Sequence, residues 1–528
     1  MTTPRAVGPW GVLVAGAMLL CVLAVPLFSV LVPPMGDYPN HLARMHILAA
    51  IGSSAELQAN YVTQWLPSPY LAMDVLVPAL TRVMSVYSAG RVFIFLAFAL
   101  QIAGTVLLFR FLAGRWSVWP LAGTLAMFGY VVHLGFVNYV FGVGVAMVAF
   151  ALWVGMSQQP TWARIAASMA AAMAVYAAHY FAFLAYGLAV ACWELQAWII
   201  ARNFSVRETA RRGVVAGAQI VSPLALFHSL GDRVEAGGTA YGSWTEQTRA
   251  LLAPFAFPGS RADMLIAAFC LLVVMAGLMS GRLQFDRRMA LVLVGMAVAA
   301  LAMPQELSGV WGMQYRLPVL FVLLATASLV PVVGSVAGSV AGSRWPALLA
   351  GGLGLLLLVG HVGTIARSWQ LRDAQYSELR TALSVVDRGA RLLVFRGADG
   401  MALVERGPFF TWSQMAGIAV VERDVFLPFL HKQRMMTVQA GPGTQQIDAT
   451  QGHPIAMAKL LEGADPATDP ALLGNYDGPG HRNYWGGWPR HFDYALEMHF
   501  GLRAPTLASL RRVHEGSFFD IHKVLRVP

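Results

Sequence analysis

Residues 10–32 read WGVLVAGAMLLCVLAVPLFSVLV, a run without one charge, and residues 33–44 follow it as PPMGDYPNHLAR. A helix that crosses a bilayer needs about 20 mainly apolar residues, so the run is long enough to span. It exceeds the ~7–15-residue apolar stretch of a cleavable signal peptide. Leu19 and Leu20 before Cys21 also lack the small residue that a lipoprotein cleavage site requires. An uncleaved first span is therefore expected, starting in the cytoplasm. The chain then emerges through two prolines into a polar turn.

The rest of the sequence extends this pattern. Of 528 residues, 57% are apolar and only 12% charged, against about one charged residue in four for a soluble domain. A water-soluble globule is excluded. The net charge of +10 is almost all arginine, because lysine occurs only at 432, 459 and 523. Those arginines are scattered between long uncharged runs, which suits cytoplasmic loops of a membrane protein rather than nucleic-acid binding. Cys21, Cys192 and Cys270 all lie in apolar runs and form neither a disulfide framework nor a metal spacing.

Further uncharged runs fall at about 92–109, 118–134, 138–157, 165–178, 180–200, 213–230, 264–281, 289–305, 317–335 and 346–366. With the first run they predict eleven spans in an all-α membrane bundle. The division of 165–201 rests on charge. Two spans there put Arg202, Arg207, Arg211 and Arg212 on the same cytoplasmic side as Arg282, Arg287 and Arg288, as the positive-inside tendency favours. Eleven spans place the C-terminus outside. From 368 to 528 the composition becomes that of ordinary soluble protein, with short strand-like runs at 391–395, 417–421 and 492–500 and a helical segment at 373–387. The expected organisation is a membrane domain, 1–367, including a first external loop, 33–91, followed by an extracytoplasmic α/β domain, 368–528. Residues 334–343 read as a low-complexity loop or weak helix end.

On this topology the polar residues collect at external turns. Asp37, Asn40, His41 and Arg44 follow the first span, with Pro39 suited to the first turn of a helix and His41 and Arg44 on one face. Other turns carry His133 and Asn138, Tyr176 and His179, Asp232 and Glu235, then Glu306 and Arg316. The alternative for each is structural: a capped interfacial helix, packed histidines, a snorkelling arginine. Asp37, His41, His179 and Arg316 are expected to line one cavity near the outer interface, since isolated polar groups beside lipid are costly. The aromatic run at 483–494 suits sugar stacking, a domain core or a membrane seat.

A lone aspartate just after the first span, in the first external loop and followed by interfacial helices, resembles the GT-C superfamily of membrane glycosyltransferases. Protein mannosyltransferases and lipid A aminoarabinose transferases are nearest in style. The resemblance implies an enzyme of the bacterial inner membrane. It would take a sugar from a polyprenyl-phosphate donor and pass it to a lipid, glycan or protein acceptor on the external face. It implies Asp37 as the catalytic base. His41, Arg44, Asp74, His133, Asn138, His179, Glu306 and Arg316 are then candidates for holding substrate or its phosphate. The paired acids of many members are not adjacent here, since Tyr38 follows Asp37. Asp74 is the alternative second acid, or else a solvated charge on a helix surface, so a divalent cation stays open as a cofactor. Two rival readings are a transporter or lipid flippase and a non-catalytic envelope-assembly protein. Transport sites favour ionisable groups at mid-membrane depth, where this chain has little besides His361. Walker loops, nucleophile elbows and HExxH zinc motifs do not occur.

Overall fold

A computed structural model describes residues 8–231, 238–257, 262–332, 345–397, 412–431, 436–449, 454–457, 460, 484–485, 487–501, 503–504 and 507–526. Asp232, Glu235, the 334–343 segment and Asn483 lie outside them. The chain forms two compact units. The first comprises Met1–Ser29, Pro69–Ala72 and Arg91–Ser368, and the second Val30–Ser68, Met73–Gly90 and Trp369–Pro528.

The first unit is helical. Five helices of the described chain are long and apolar enough to cross a membrane: Pro9–Phe28, Val86–Ala113, Val137–Gly155, Tyr180–Ala201 and Trp345–Val385. With one exception each expected run carries an α-helix, although 317–335 winds only over Leu317–Ser328 and then turns into the short strand Leu329–Pro331. The exception is 118–134, which forms a 3-10 helix over Trp119–Ala126 and a single α-turn over Tyr130–His133. Pro120, Gly123, Thr124 and Gly129 are poor helix formers, and the segment ties to neighbours instead. Trp119 Nε1 donates to Thr326 O over 3.1 Å, and Tyr130 N donates to Ala253 O over 2.7 Å.

The 165–201 stretch divides as charge predicts, into Thr161–Ala178 and Tyr180–Ala201 with His179 extended between them. The division brings distant charges together. Glu194 bonds Arg164 at 2.8 Å and Arg212 at 3.3 Å, while Arg164 lies over the Trp153 ring at 3.8 Å. Helices Val86–Ala113 and Val137–Gly155 meet through small residues, as helices do where lipid offers no hydrophobic drive. A Cβ added at Gly104 would lie 2.5 Å from Met147 Cβ, and one at Gly144 would lie 2.7 Å from Leu100 Cβ. An alanine at either position would push the pair apart.

The second unit is built on a five-stranded sheet, in the order Leu510–Glu515, Phe519–Val524, Tyr494–Met498, Leu392–Arg396, Ile455–Ala456. The strand expected near 391–395 is present, and Tyr494–Met498 lies within the expected 492–500 run, parallel to the first. The 417–421 run, expected as a strand, is instead helix Gly417–Arg423. A short apolar run has no period that separates the two forms, and packing decides here. Gly417 lies against the start of helix Tyr38–Ala50, where a Cβ would come within 2.6 Å of Pro39 O. The helical segment expected at 373–387 continues the helix begun before it, as one element Trp345–Ala382. Tyr484, Trp485 and Trp488, from the aromatic run, are buried, which is the core arrangement.

Candidate functional site

The first loop enters helix Tyr38–Ala50 with Asp37 at the N-cap and proline in the first turn. Asp37 makes no side-chain cap hydrogen bond among the described residues. Its carboxylate instead faces His431, with Oδ1 3.7 Å from Nε2. Both side chains are partly open, Asp37 at 30% and His431 at 25%. One turn further along the helix, Asn40 and His41 are buried, and the His41 and His431 rings lie 5.7 Å apart. Burial, with His431 and Arg44 adding to it, pushes His41 down to about 3 against the opposing pull of Asp37. His41 is therefore a neutral imidazole at physiological pH, able to accept or donate a hydrogen bond but carrying no charge.

Arg44 is fully buried, and Asp74 nearly so, at 2%. Arg44 Nη2 donates to Asp74 Oδ1 at 3.0 Å and Oδ2 at 2.9 Å, and Thr437 Oγ1 donates to Oδ2 at 2.7 Å. Asp74 is thus neither a surface charge nor an open second acid. It is the counter-ion of Arg44. Arg44 Nε and Nη1, and His41 Nδ1, are buried with no hydrogen-bond partner among the described residues.

The remaining candidates belong to the first unit. Arg316 caps helix Leu317–Ser328 and is 6% exposed. Its guanidinium lies over the Phe136 ring at 4.6 Å, so it is not snorkelling. Arg316 Nη1 approaches His179 Nε2 at 3.4 Å. Tyr139 and Tyr70 set their rings edge-on to His179 at 5.3 and 5.2 Å. The tautomer of His179 follows from its other nitrogen, because Nδ1 accepts from Phe181 N at 3.1 Å. Nε2 must then carry the hydrogen. Nε2–H and the Arg316 guanidinium are then both donors, and the 3.4 Å between them is an approach of two donors rather than a hydrogen bond.

His133 is buried edge-on against Phe257 at 4.7 Å. Asn138 is buried in the first turn of Val137–Gly155. Glu306 lies in a two-residue strand paired with Ala240 and Trp311.

The described residues include one group with metal-holding spacing, Glu497, Asp520 and His522, whose ligand atoms lie within 4.8 Å of each other. They line a cavity of about 60 Å³ in the second unit's sheet. Its carboxylates are already engaged. Asp520 accepts from Arg503 Nε at 3.1 Å and Glu497 from Ala504 N at 2.6 Å, while His522 Nε2 lies 3.1 Å from Glu497. The group is an ion-pair network of the sheet and does not include Asp37.

The chain's fold resembles that of a solved membrane-protein structure. It is similar to the crystal structure of ArnT from Cupriavidus metallidurans in the apo state, with a TM-score of 0.50, 14% identity and 97% of each chain covered. A crystal structure of ArnT from the same organism bound to undecaprenyl phosphate aligns over 98% of each chain, with a TM-score of 0.48 and 13% identity. No protein-family profile and no curated protein sequence matches the chain.

Proposed function

We propose that this protein is a membrane glycosyltransferase that takes a sugar from a polyprenyl-phosphate donor and transfers it to an acceptor on the external face of the inner membrane. The observation that carries the reading is the buried guanidinium of Arg316 beside the buried His179, with Nη1 3.4 Å from Nε2. Donors of this kind suit a phosphate oxygen, and charge-assisted bonds to arginine are the strong ones. Asp37, with its carboxylate turned away from capping and partly open, is suited to general-base work. In the reaction the acceptor oxygen or nitrogen forms a bond to the anomeric carbon as its proton passes to Asp37. The bond from that carbon to the phosphate oxygen breaks, and its electron pair leaves on the lipid phosphate. That charge is of the kind that an arginine such as Arg316 neutralises. Arg44 and His41 contribute substrate contacts beside Asp37. Asp74 holds Arg44 in place.

Arg316→Gln tests the phosphate role. Removing a charged hydrogen-bond donor is worth about 1.5–3 kcal/mol, so binding of an undecaprenyl-phosphate sugar should weaken roughly 10-fold to 150-fold. Native mass spectrometry or calorimetry on the purified full chain measures it. Unchanged affinity would remove Arg316 from the donor site.

The topology we propose has eleven spans, the N-terminus in the cytoplasm and residues 368–528 outside. The gathering of Arg164 and Arg212 on Glu194 supports it, since it places two arginine-bearing ends together. Alkaline phosphatase fused to the C-terminus should be active, as that reporter works only outside the cytoplasm. An inactive fusion with normal expression would reverse the orientation.

A further inference from the structure

Asn40 makes hydrogen bonds that sequence spacing does not suggest. Its Nδ2 donates to Gln414 Oε1 at 2.8 Å and to Phe429 O at 3.2 Å, and its Oδ1 accepts from His431 N at 2.8 Å. One fully buried amide thus grips a carbonyl and an N–H two residues apart on the same segment. Gln414 secures it from the neighbouring turn. The grip fixes where residue 431 begins. Asn40 is three residues after Asp37, so on the helix the two stand on adjacent turns of one face. The imidazole of His431 is thereby delivered to the Asp37 carboxylate, with 3.7 Å between Nε2 and Oδ1. That distance is just beyond a hydrogen bond, as is common for catalytic pairs before substrate binds. His41, buried and neutral, lies behind the His431 ring, and Arg44 is held to Asp74.

We propose that His431 is a positioning residue for Asp37, supplied by the C-terminal part of the chain and set by the Asn40 grip. Its Nε2–H donates to Asp37 Oδ1 and holds the carboxylate in one rotamer, so that Oδ2 faces the acceptor and receives its proton. This rests on the glycosyltransferase reading. It gives the region after residue 368 a part in the chemistry, in addition to its own folding.

The test uses the purified full chain, a radiolabelled undecaprenyl-phosphate sugar and a bacterial membrane-lipid extract as acceptor. His431→Ala should lower kcat about 10-fold to 100-fold, the order of loss from misplacing a reacting group, with the KM for donor unchanged. Asn40→Ala should give a similar loss, and His431→Gln, which keeps a donor, should recover part of the rate. Because His431 acts through Asp37, the double variant Asp37→Asn/His431→Ala should be no slower than Asp37→Asn alone. Losses that multiply would show an independent structural role and overturn the proposal. Placement is read without activity: in a chain with Cys21, Cys192 and Cys270 replaced by serine, the pair Asp37→Cys/His431→Cys should cross-link through a short bis-maleimide, because side chains whose tips meet at 3.7 Å leave the shorter cysteines beyond direct disulfide reach, while each single variant should not. Wild-type transfer without cross-linking overturns this inference alone. A wild-type protein that transfers no sugar removes the transferase reading, and the positioning role with it, whatever the cross-link shows.

Discussion

Asp37→Asn is expected to reduce sugar transfer by about 10²–10⁴-fold, the usual worth of a general base, while the protein still inserts and still binds its donor. Asparagine keeps the size and much of the hydrogen bonding of aspartate and loses the proton acceptor. The side chain makes no cap bond to the helix it precedes, so its replacement should not unsettle that helix. Losing a true N-cap would cost roughly 1 kcal/mol, and here even that is absent. Single-turnover transfer and donor binding, measured on one preparation, separate the two effects. Full activity in the variant would leave Asp37 without a chemical role.

Asp74→Ala should act in the opposite way, through stability. Arg44 has no exposure to solvent, and its ion partner is Asp74. Breaking a buried pair by removing one member strands a charge and costs about 3–5 kcal/mol, a large part of a typical margin of 5–15 kcal/mol. The thermal midpoint and the yield of folded protein in detergent should both fall sharply. Replacing the pair together, as Arg44→Met/Asp74→Leu, should recover most of the stability, because apolar residues of similar size can substitute for a buried ion pair. An Asp74→Ala protein as stable as wild type would mean that water reaches Arg44 and that the pair is not closed.

The sequence carried the parts of this account that depend on local pattern. The uncharged run at 10–32, the proline-led turn into Asp37 and the break at His179 follow from run length, proline chemistry and the distribution of arginine. Residues 118–134 did not, because hydropathy marks a segment as apolar without saying whether it winds as an α-helix or as a tighter 3-10 turn. The helix at Gly417–Arg423 was hidden for a related reason: a short apolar run has no readable period, and contact with Pro39 settles it. The partnerships at the site were the least legible. Arg44 meets Asp74 from 30 residues away, and Asn40 meets Gln414 from 374. Spacing rules reach three or four residues along a helix, so such pairs leave no mark in one sequence. His431 in particular stands in a stretch with no motif. What could have pointed to it is the density of histidine and aspartate around the first loop, which needs a further polar partner if it is to be buried.

The most direct test of the central claim is to follow undecaprenyl phosphate released from an undecaprenyl-phosphate sugar by the purified full chain in liposomes with a bacterial membrane-lipid acceptor. The account predicts time-dependent release matched by label appearing in the acceptor, with both lost in Asp37→Asn. A panel of pentose and hexose donors that all remain intact with the wild-type protein would contradict it.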